Sequence, residues 1–304
     1  MEVVLGCGNF GGIGSAPAFF GQGETREEAF TLMDAAWTLG LRWFDTADAY
    51  GGGRSETWIG EWIRATGNRP RITTKTFNPM DEGADRGLAR DRVLRQVGTS
   101  LERLGVDKID LYLTHEPDPE TPIAETLRAF EELAEEGVIE RWGVSNVDGP
   151  ELRAWLEHGE PALVQNSYSL LDRGDEDDVL PLCAERGIDH QAFSPLAGGW
   201  LTGKYRRNEA APAGSRMTMR PEPYLHLQDE RVYEALDGLE RAARSRDVSM
   251  AGLALAWALA GTSSVVVGPR RPEHLEPARE AIALRLTLAE RDEVGSLFGE
   301  QWES

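Results

Sequence analysis

The chain has 304 residues, and 32 basic against 52 acidic side chains leave it a formal net charge of −20. Such a balance excludes nucleic acid and anionic membrane surfaces as main partners, because phosphate backbones are held by clustered Lys and Arg. With 40% apolar and 28% charged residues the composition is that of a folded globular protein. The length suits one large α/β domain or two ordinary ones. The two cysteines, Cys7 and Cys183, form neither a disulfide framework nor a metal knuckle, so no metal site is expected and a reducing, cytoplasmic setting is the default. The opening MEVVLGCGNF lacks the basic-then-apolar pattern of a secretory signal. The longest apolar run, MAGLALAWALAG at 250–261, is shorter than the ~20 residues that cross a bilayer and reads as a buried helix.

In chain order, short β-rich runs alternate with longer amphipathic stretches. Strands are expected at 3–8, 43–46, 72–75, 109–114, 141–144, 163–166, 189–193 and 264–267. Nearly continuous apolar runs such as IDLYL and VVV suit strands buried on both faces. The first helix is expected at 25–39, opened by a capping box of Thr25 and Glu28, with Ala29, Leu32, Met33 and Ala36 on its inner face. Others follow at 55–65, 90–104, 123–136 (stopped at Gly137), 149–158, 177–186, 229–246, 249–259 and 272–282. Eight strands alternating with helices and no linker point to one (β/α)8 barrel over residues 1–304, with a doubly wound sheet as the rival. The interval 196–228, rich in Gly, Pro and Met, reads as a long functional loop after the seventh strand.

In a barrel, chemistry gathers at the C-terminal strand ends. Here these ends carry Asp45, Lys75, His115, Ser145 with Asn146, Gln165 and Ser194, and Tyr50 lies in the adjoining loop TADAYGGG. Taken singly, Asp45 suits a turn cap, Lys75 a solvated strand end, His115 a core histidine and Tyr50 loop packing. Their accumulation at one face favours a shared role. A phenol with pKa ~10 is a sluggish acid at pH 7. A neighbouring ammonium, oriented by a carboxylate, is expected to lower that value. Tyr50 is then the expected proton donor to a carbonyl oxygen, Lys75 and Asp45 its supports, and His115 a polarising group.

The phrases FDTADAYGGGRSE, TTK, DLYLTHEPD, IERWGVSN, VQNSYS and SPLAGGWLTGKY, in this order and spacing, resemble the aldo-keto reductases over nearly the whole chain. AFSPLAGGWLTGKY looks most like the aflatoxin-aldehyde/succinic-semialdehyde reductase branch. The resemblance implies a (β/α)8 barrel, a nicotinamide cofactor and reversible hydride transfer to a small-molecule aldehyde or ketone. It implies that Ser145, Asn146 and Gln165 bind the carboxamide and that Phe193 stacks on the nicotinamide. Ser194, Pro195, Leu196, Gly198, Gly199, Leu201, Thr202 and Lys204 would wrap the pyrophosphate. Gly268, Arg270, Arg271 and His274 would hold the adenosine end, joined by Arg216 from the long loop. Two departures stand out: His274 occupies a Gln position, and Pro277 and Ala278 replace an acidic–Asn pair. With Arg270, Arg271 and Arg216 available for a 2′-phosphate, NADPH is expected ahead of NADH.

Phe19, Phe20, Trp200 and Tyr224, with Met217, Met219 and His226 nearby, are expected to form an aromatic, apolar substrate mouth. The final GEQWES holds no arginine for a substrate carboxylate, which argues against succinic semialdehyde. Two other functions are open on the residues alone: a Schiff-base lyase using Lys75, and a cofactor-binding regulatory protein with vestigial activity. Oligomeric state is not readable from the sequence.

Overall fold

The computed structural model describes residues 2–80 and 86–299. The ends of the expected 1–304 domain and nearly all of the GEQWES tail fall outside them. Eight parallel strands, β1 (Glu2–Gly6), β2 (Trp43–Asp45), β3 (Arg71–Thr76), β4 (Ile109–Thr114), β5 (Ile139–Ser145), β6 (Leu163–Ser167), β7 (Asp189–Phe193) and β8 (Ser264–Val267), close into a barrel in sequential order. Pairing of β1 with β8, Val3 opposite Val265, seals it. The helices are α1 (Arg26–Leu39), α2 (Arg54–Thr66), α3 (Arg90–Leu104), α4 (Ile123–Glu135), α5 (Gly149–Leu156), α6 (Val179–Arg186), α7 (Arg216–Met219), α8 (Glu230–Ser245), α9 (Met250–Gly261), α10 (Glu276–Leu284) and α11 (Leu288–Gly295).

Local chemistry sets the helix boundaries. Glu28 N–H donates to the Thr25 hydroxyl while Thr25 N–H donates to the Glu28 carboxylate, so the expected capping box opens α1. The apolar helix α9 starts on the Ser249 hydroxyl and is buried from Met250 to Leu259, wedged against α8 and α10. Three expectations shift. Strand β1 ends at Gly6 rather than residue 8, because the chain turns once Cys7 N–H has reached the Asp45 carbonyl. Strand β5 begins two residues earlier than expected, since Ile139 pairs with Ile109. The interval 196–228 is not a bare loop: it carries 3-10 turns at Ala197–Thr202 and Glu222–Leu227, with α7 between them.

The two-residue strand period divides the side chains between lumen and outer layer. Val4, Trp43, Leu111, Leu113, Leu163 and Val266 pack together in the lumen. The same face carries Asp45, Lys75, Gln165 and Gln191 nearer the C-terminal mouth. Phe44 faces outward into the large cluster beneath α1, α2, α8 and α9. Gly60 lets α2 lie directly on the end of α3: a Cβ there would stand on the carbonyl oxygens of Arg103 and Leu104. Gly60→Ala should therefore cost about 1–3 kcal/mol of stability, read as a lower urea midpoint at unchanged slope.

Candidate active site

Five strands, the end of β4 and one loop bring the polar residues together. Lys75, on β3, is fully buried, and its ammonium donates to Asp45 Oδ1 at 2.6 Å and to the Thr46 carbonyl at 3.1 Å. The second Asp45 oxygen accepts from Gln165 Nε2 at 2.7 Å, and that nitrogen also donates to Gln191 Oε1 at 2.6 Å. Gln191 Nε2 passes the chain on to the Ser264 hydroxyl at 2.8 Å. A buried ion pair is sustained only when its remaining lone pairs and protons are also satisfied, and this lumen chain does so across five strands.

Tyr50 sits on a turn in which Gly51, Gly52 and Gly53 all adopt left-handed backbone, so the loop folds back over the barrel end. Its ring lies against Gly8 on one side, with the Lys75 ammonium 5.2 Å from its centroid. From there the Lys75 charge acts on the phenol. The Tyr50 hydroxyl lies 3.5 Å from His115 Nε2, with the two rings edge to face. Burial pulls the Lys75 ammonium down, but Asp45 and Tyr50 together hold it above its ordinary value, so it stays protonated. Burial and the Lys75 charge drive His115 well below its usual range, leaving a neutral imidazole whose Nδ1 is buried without a partner. For Tyr50 the expected lowering is corrected: Lys75 does favour phenolate, yet burial outweighs it and the phenol titrates above its ordinary value. The resting group is therefore the neutral phenol, which is the form that donates a proton.

Beside this set, Asn146 takes left-handed backbone at φ 57° and donates to the His115 carbonyl at 2.8 Å. The side-chain nitrogens of Asn146 and Gln165 thus both point at protein partners, and each amide keeps its carbonyl oxygen as an acceptor. Phe193 is half-buried at the end of β7 and borders a cavity of about 770 Å³ shared with Ser167, Asp172, Ser194, Ala197 and Tyr224. After Phe193, left-handed backbone at Ser194, Ala197, Gly198 and Gly199 makes an irregular turn of the kind that gathers N–H groups for an anion. Lys204 is exposed nearby and among the described residues forms no ion pair.

One expected substrate-mouth residue is placed otherwise. Trp200 is fully buried against Tyr205 and Tyr233, so it is core rather than substrate mouth. Leu201 is likewise core, and only its backbone is left for a ligand. Tyr224 lies over Gly198, above the Ser194–Gly199 turn. Phe20 does reach the mouth, against Gly52 beside Tyr50, and Phe19 meets the Arg220 guanidinium. Arg216 donates to Asn9 across the barrel end at 3.4 Å, and His274 Nδ1 accepts from Arg270 N–H at 3.3 Å. Gly268 and Arg271 lie exposed on the β8 side.

Sequence reasoning missed an outer polar cluster behind these residues. Thr74 and Thr76, flanking Lys75, point away from the lumen: Thr74 donates to Glu56 at 2.6 Å and Thr76 accepts from Arg92 at 2.9 Å. Arg103 joins Glu56 at 3.2 Å and holds the Asp48 carbonyl at 3.1 Å. The fully buried Asp48 carboxyl is raised to about 7 by burial and by Glu56, against Arg92, which stands 4.0 Å away. The Thr-Thr-Lys-Thr alternation was the available signal: two hydroxyls on the helix-facing side of a barrel strand need polar partners.

The Aldo/keto reductase family profile matches residues 2–297, so the chain belongs to that family. It is 33% identical over 310 residues to the NADH-specific methylglyoxal reductase of Escherichia coli K12, covering 95% of this chain and 91% of that one. Among solved structures it is similar to the glycerol dehydrogenase of Gluconobacter oxydans, with TM-score 0.83, 28% identity and coverage of 97% and 90%. It is also similar to an aldo-keto reductase from Klebsiella pneumoniae in complex with NADPH, with TM-score 0.74, 26% identity and coverage of 98% and 90%. The protein is thus an NAD(P)H-dependent oxidoreductase built on a (β/α)8 barrel. No helix among the described residues is long and apolar enough to cross a membrane.

The Asp48 shift has a measurable consequence. The fold prefers the neutral carboxyl, so that contribution to stability is full below the unfolded pKa near ~4 and is lost as pH rises through about 7. Asp48→Asn should remove the dependence: relative to the parent, the variant gains on the order of 1–4 kcal/mol between pH 5 and pH 8 in urea titrations. An equal pH dependence in both proteins would show Asp48 ionised throughout.

Proposed function

We propose that this protein reduces an aldehyde or ketone, reversibly, with Tyr50 as the proton donor. The observation that carries this reading is the placement of a neutral phenol between a protonated Lys75 and a neutral His115. The donor set fits a nicotinamide dinucleotide: Phe193 offers a ring face, Asn146 and Gln165 keep amide oxygens for a carboxamide, and the left-handed turn with Lys204 suits a pyrophosphate. When bound, the reduced cofactor supplies a hydride to the carbonyl carbon. The protein supplies the rest. The neutral His115 imidazole polarises the carbonyl oxygen, and Tyr50 delivers its proton to that oxygen as the C–O π bond breaks. Lys75, held charged by Asp45, then stabilises the phenolate left behind. That role is consistent with a raised resting pKa, because the ammonium acts most strongly when negative charge has formed.

The half-buried Phe19 and Phe20 beside Tyr50 support a planar or hydrophobic carbonyl. Assignment to the aflatoxin-aldehyde/succinic-semialdehyde branch rests on AFSPLAGGWLTGKY and the helix that follows the long loop. A Schiff-base lyase is disfavoured, because that chemistry needs an unprotonated amine and Lys75 is locked as an ammonium. Among relatives both dinucleotides occur, NADH in the name of the Escherichia coli reductase and NADPH in the Klebsiella pneumoniae structure.

Tyr50→Phe should lower turnover on an aldehyde and ketone panel by about 10²–10⁴-fold while dinucleotide binding, followed by protein fluorescence, persists. A rate within tenfold of the parent would remove Tyr50 as the acid. Dinucleotide binding by the parent without turnover of any carbonyl would return the regulatory reading.

A further inference from the structure

Arg270 was expected to be available for a 2′-phosphate, but its guanidinium is already engaged. Its Nε donates to Glu24 Oε1 at 2.8 Å, and its Nη1 donates to the Gly214 carbonyl at 2.8 Å. Glu24 comes from the loop between β1 and α1 and is anchored on both sides of its own backbone: its N–H donates to the Asn9 carbonyl, and its carbonyl accepts from Gly11. The Glu24 side chain is 3% exposed, and its Oε2 is buried without a hydrogen-bond partner. The neighbouring Arg271 stands 3.8 Å from Glu273. Lys204, Arg270 and Arg271 all act electrostatically on His274, so the cations do converge, but two of the three face a carboxylate.

Resting on the reading that the adenosine end of the dinucleotide lies along residues 268–274, we infer that Glu24 is a specificity-determining residue that biases this site toward NADH and against NADPH. A 2′-phosphate is an acceptor-only dianion. To use Arg270 it must draw the guanidinium away from Glu24, which leaves a buried carboxylate without its cation, or it must stand beside that carboxylate. A ribose 2′-hydroxyl is uncharged and needs no cation, so it leaves the buried Glu24–Arg270 pair undisturbed. Burial already strains the charge on Glu24, raising its carboxyl above the usual range despite Arg270. The carboxylate therefore depends on its guanidinium, and a competing anion works against it.

The test measures dissociation constants for NADH and NADPH by quenching of protein fluorescence, without any carbonyl substrate. The parent should bind NADH at least about tenfold more tightly than NADPH, and Glu24→Gln should tighten NADPH about tenfold or more without tightening NADH. If Glu24→Gln fails to fold by circular dichroism, Arg270→Ala serves instead: with the guanidinium already committed, NADPH affinity should fall by less than about threefold. Preference of the parent for NADPH, a dinucleotide ratio that Glu24→Gln leaves unchanged, or a tenfold or larger loss of NADPH affinity in Arg270→Ala would each overturn the inference. Failure of the parent to bind either dinucleotide would overturn the functional reading itself.

Discussion

The ion pair between Lys75 and Asp45 is the constraint on which the rest of the site depends. Both side chains lie almost wholly out of water, at 1% and 5% exposure. A charge so placed is costly unless its partners are complete. Completion explains the neighbouring residues: Thr46 offers its carbonyl to the ammonium, Gln165 donates to the free carboxylate oxygen, and Gln191 and Ser264 satisfy Gln165 in turn. One requirement therefore orients polar groups on β2, β3, β6, β7 and β8. It also fixes the charge state beside Tyr50, because the proposed phenolate would develop next to the ammonium that Asp45 stabilises.

The outer face of β3 meets a parallel requirement. Lys75 faces the lumen, so its neighbours Thr74 and Thr76 face α2 and α3, where Glu56 and Arg92 receive them. Arg103 ties this layer back to the Asp48 carbonyl, two residues from Tyr50. The loop that carries Tyr50 is thus gripped from behind by a charged layer as well as from the lumen. Burial and the neighbouring Glu56 raise the Asp48 carboxyl to about 7, and neither of its oxygens has a hydrogen-bond partner among the described residues.

The barrel was legible because its strands are short runs rich in apolar and β-branched residues between amphipathic helices, and because polar residues stand at or just past their C-terminal ends. Asp45, Lys75, His115 and Gln165 were found for that reason, and the structure brings them and Tyr50 to one mouth. What the chain did not disclose was direction and closure. Nothing local tells that the Gln165 amide nitrogen turns inward to Asp45, or that Trp200, in a glycine-rich turn, packs on Tyr205 and Tyr233. Glu24 and Arg270 are 246 positions apart and meet only because β1 closes on β8. Lys204, Arg270 and Arg271 all act on His274, but Glu24 and Glu273 offset two of these three cations.

The central claim is that the buried pair acts through the phenol, and a double-mutant cycle between Asp45 and Tyr50 tests it most directly. Turnover of a carbonyl substrate is measured for the parent, Asp45→Asn, Tyr50→Phe and the double variant, each shown to be folded and to bind dinucleotide. If Asp45 serves Tyr50, Asp45→Asn lowers the parent rate about tenfold or more and changes the Tyr50→Phe rate by less than about twofold. Equal losses in both backgrounds would mean that the pair and the phenol act independently, and would contradict the account.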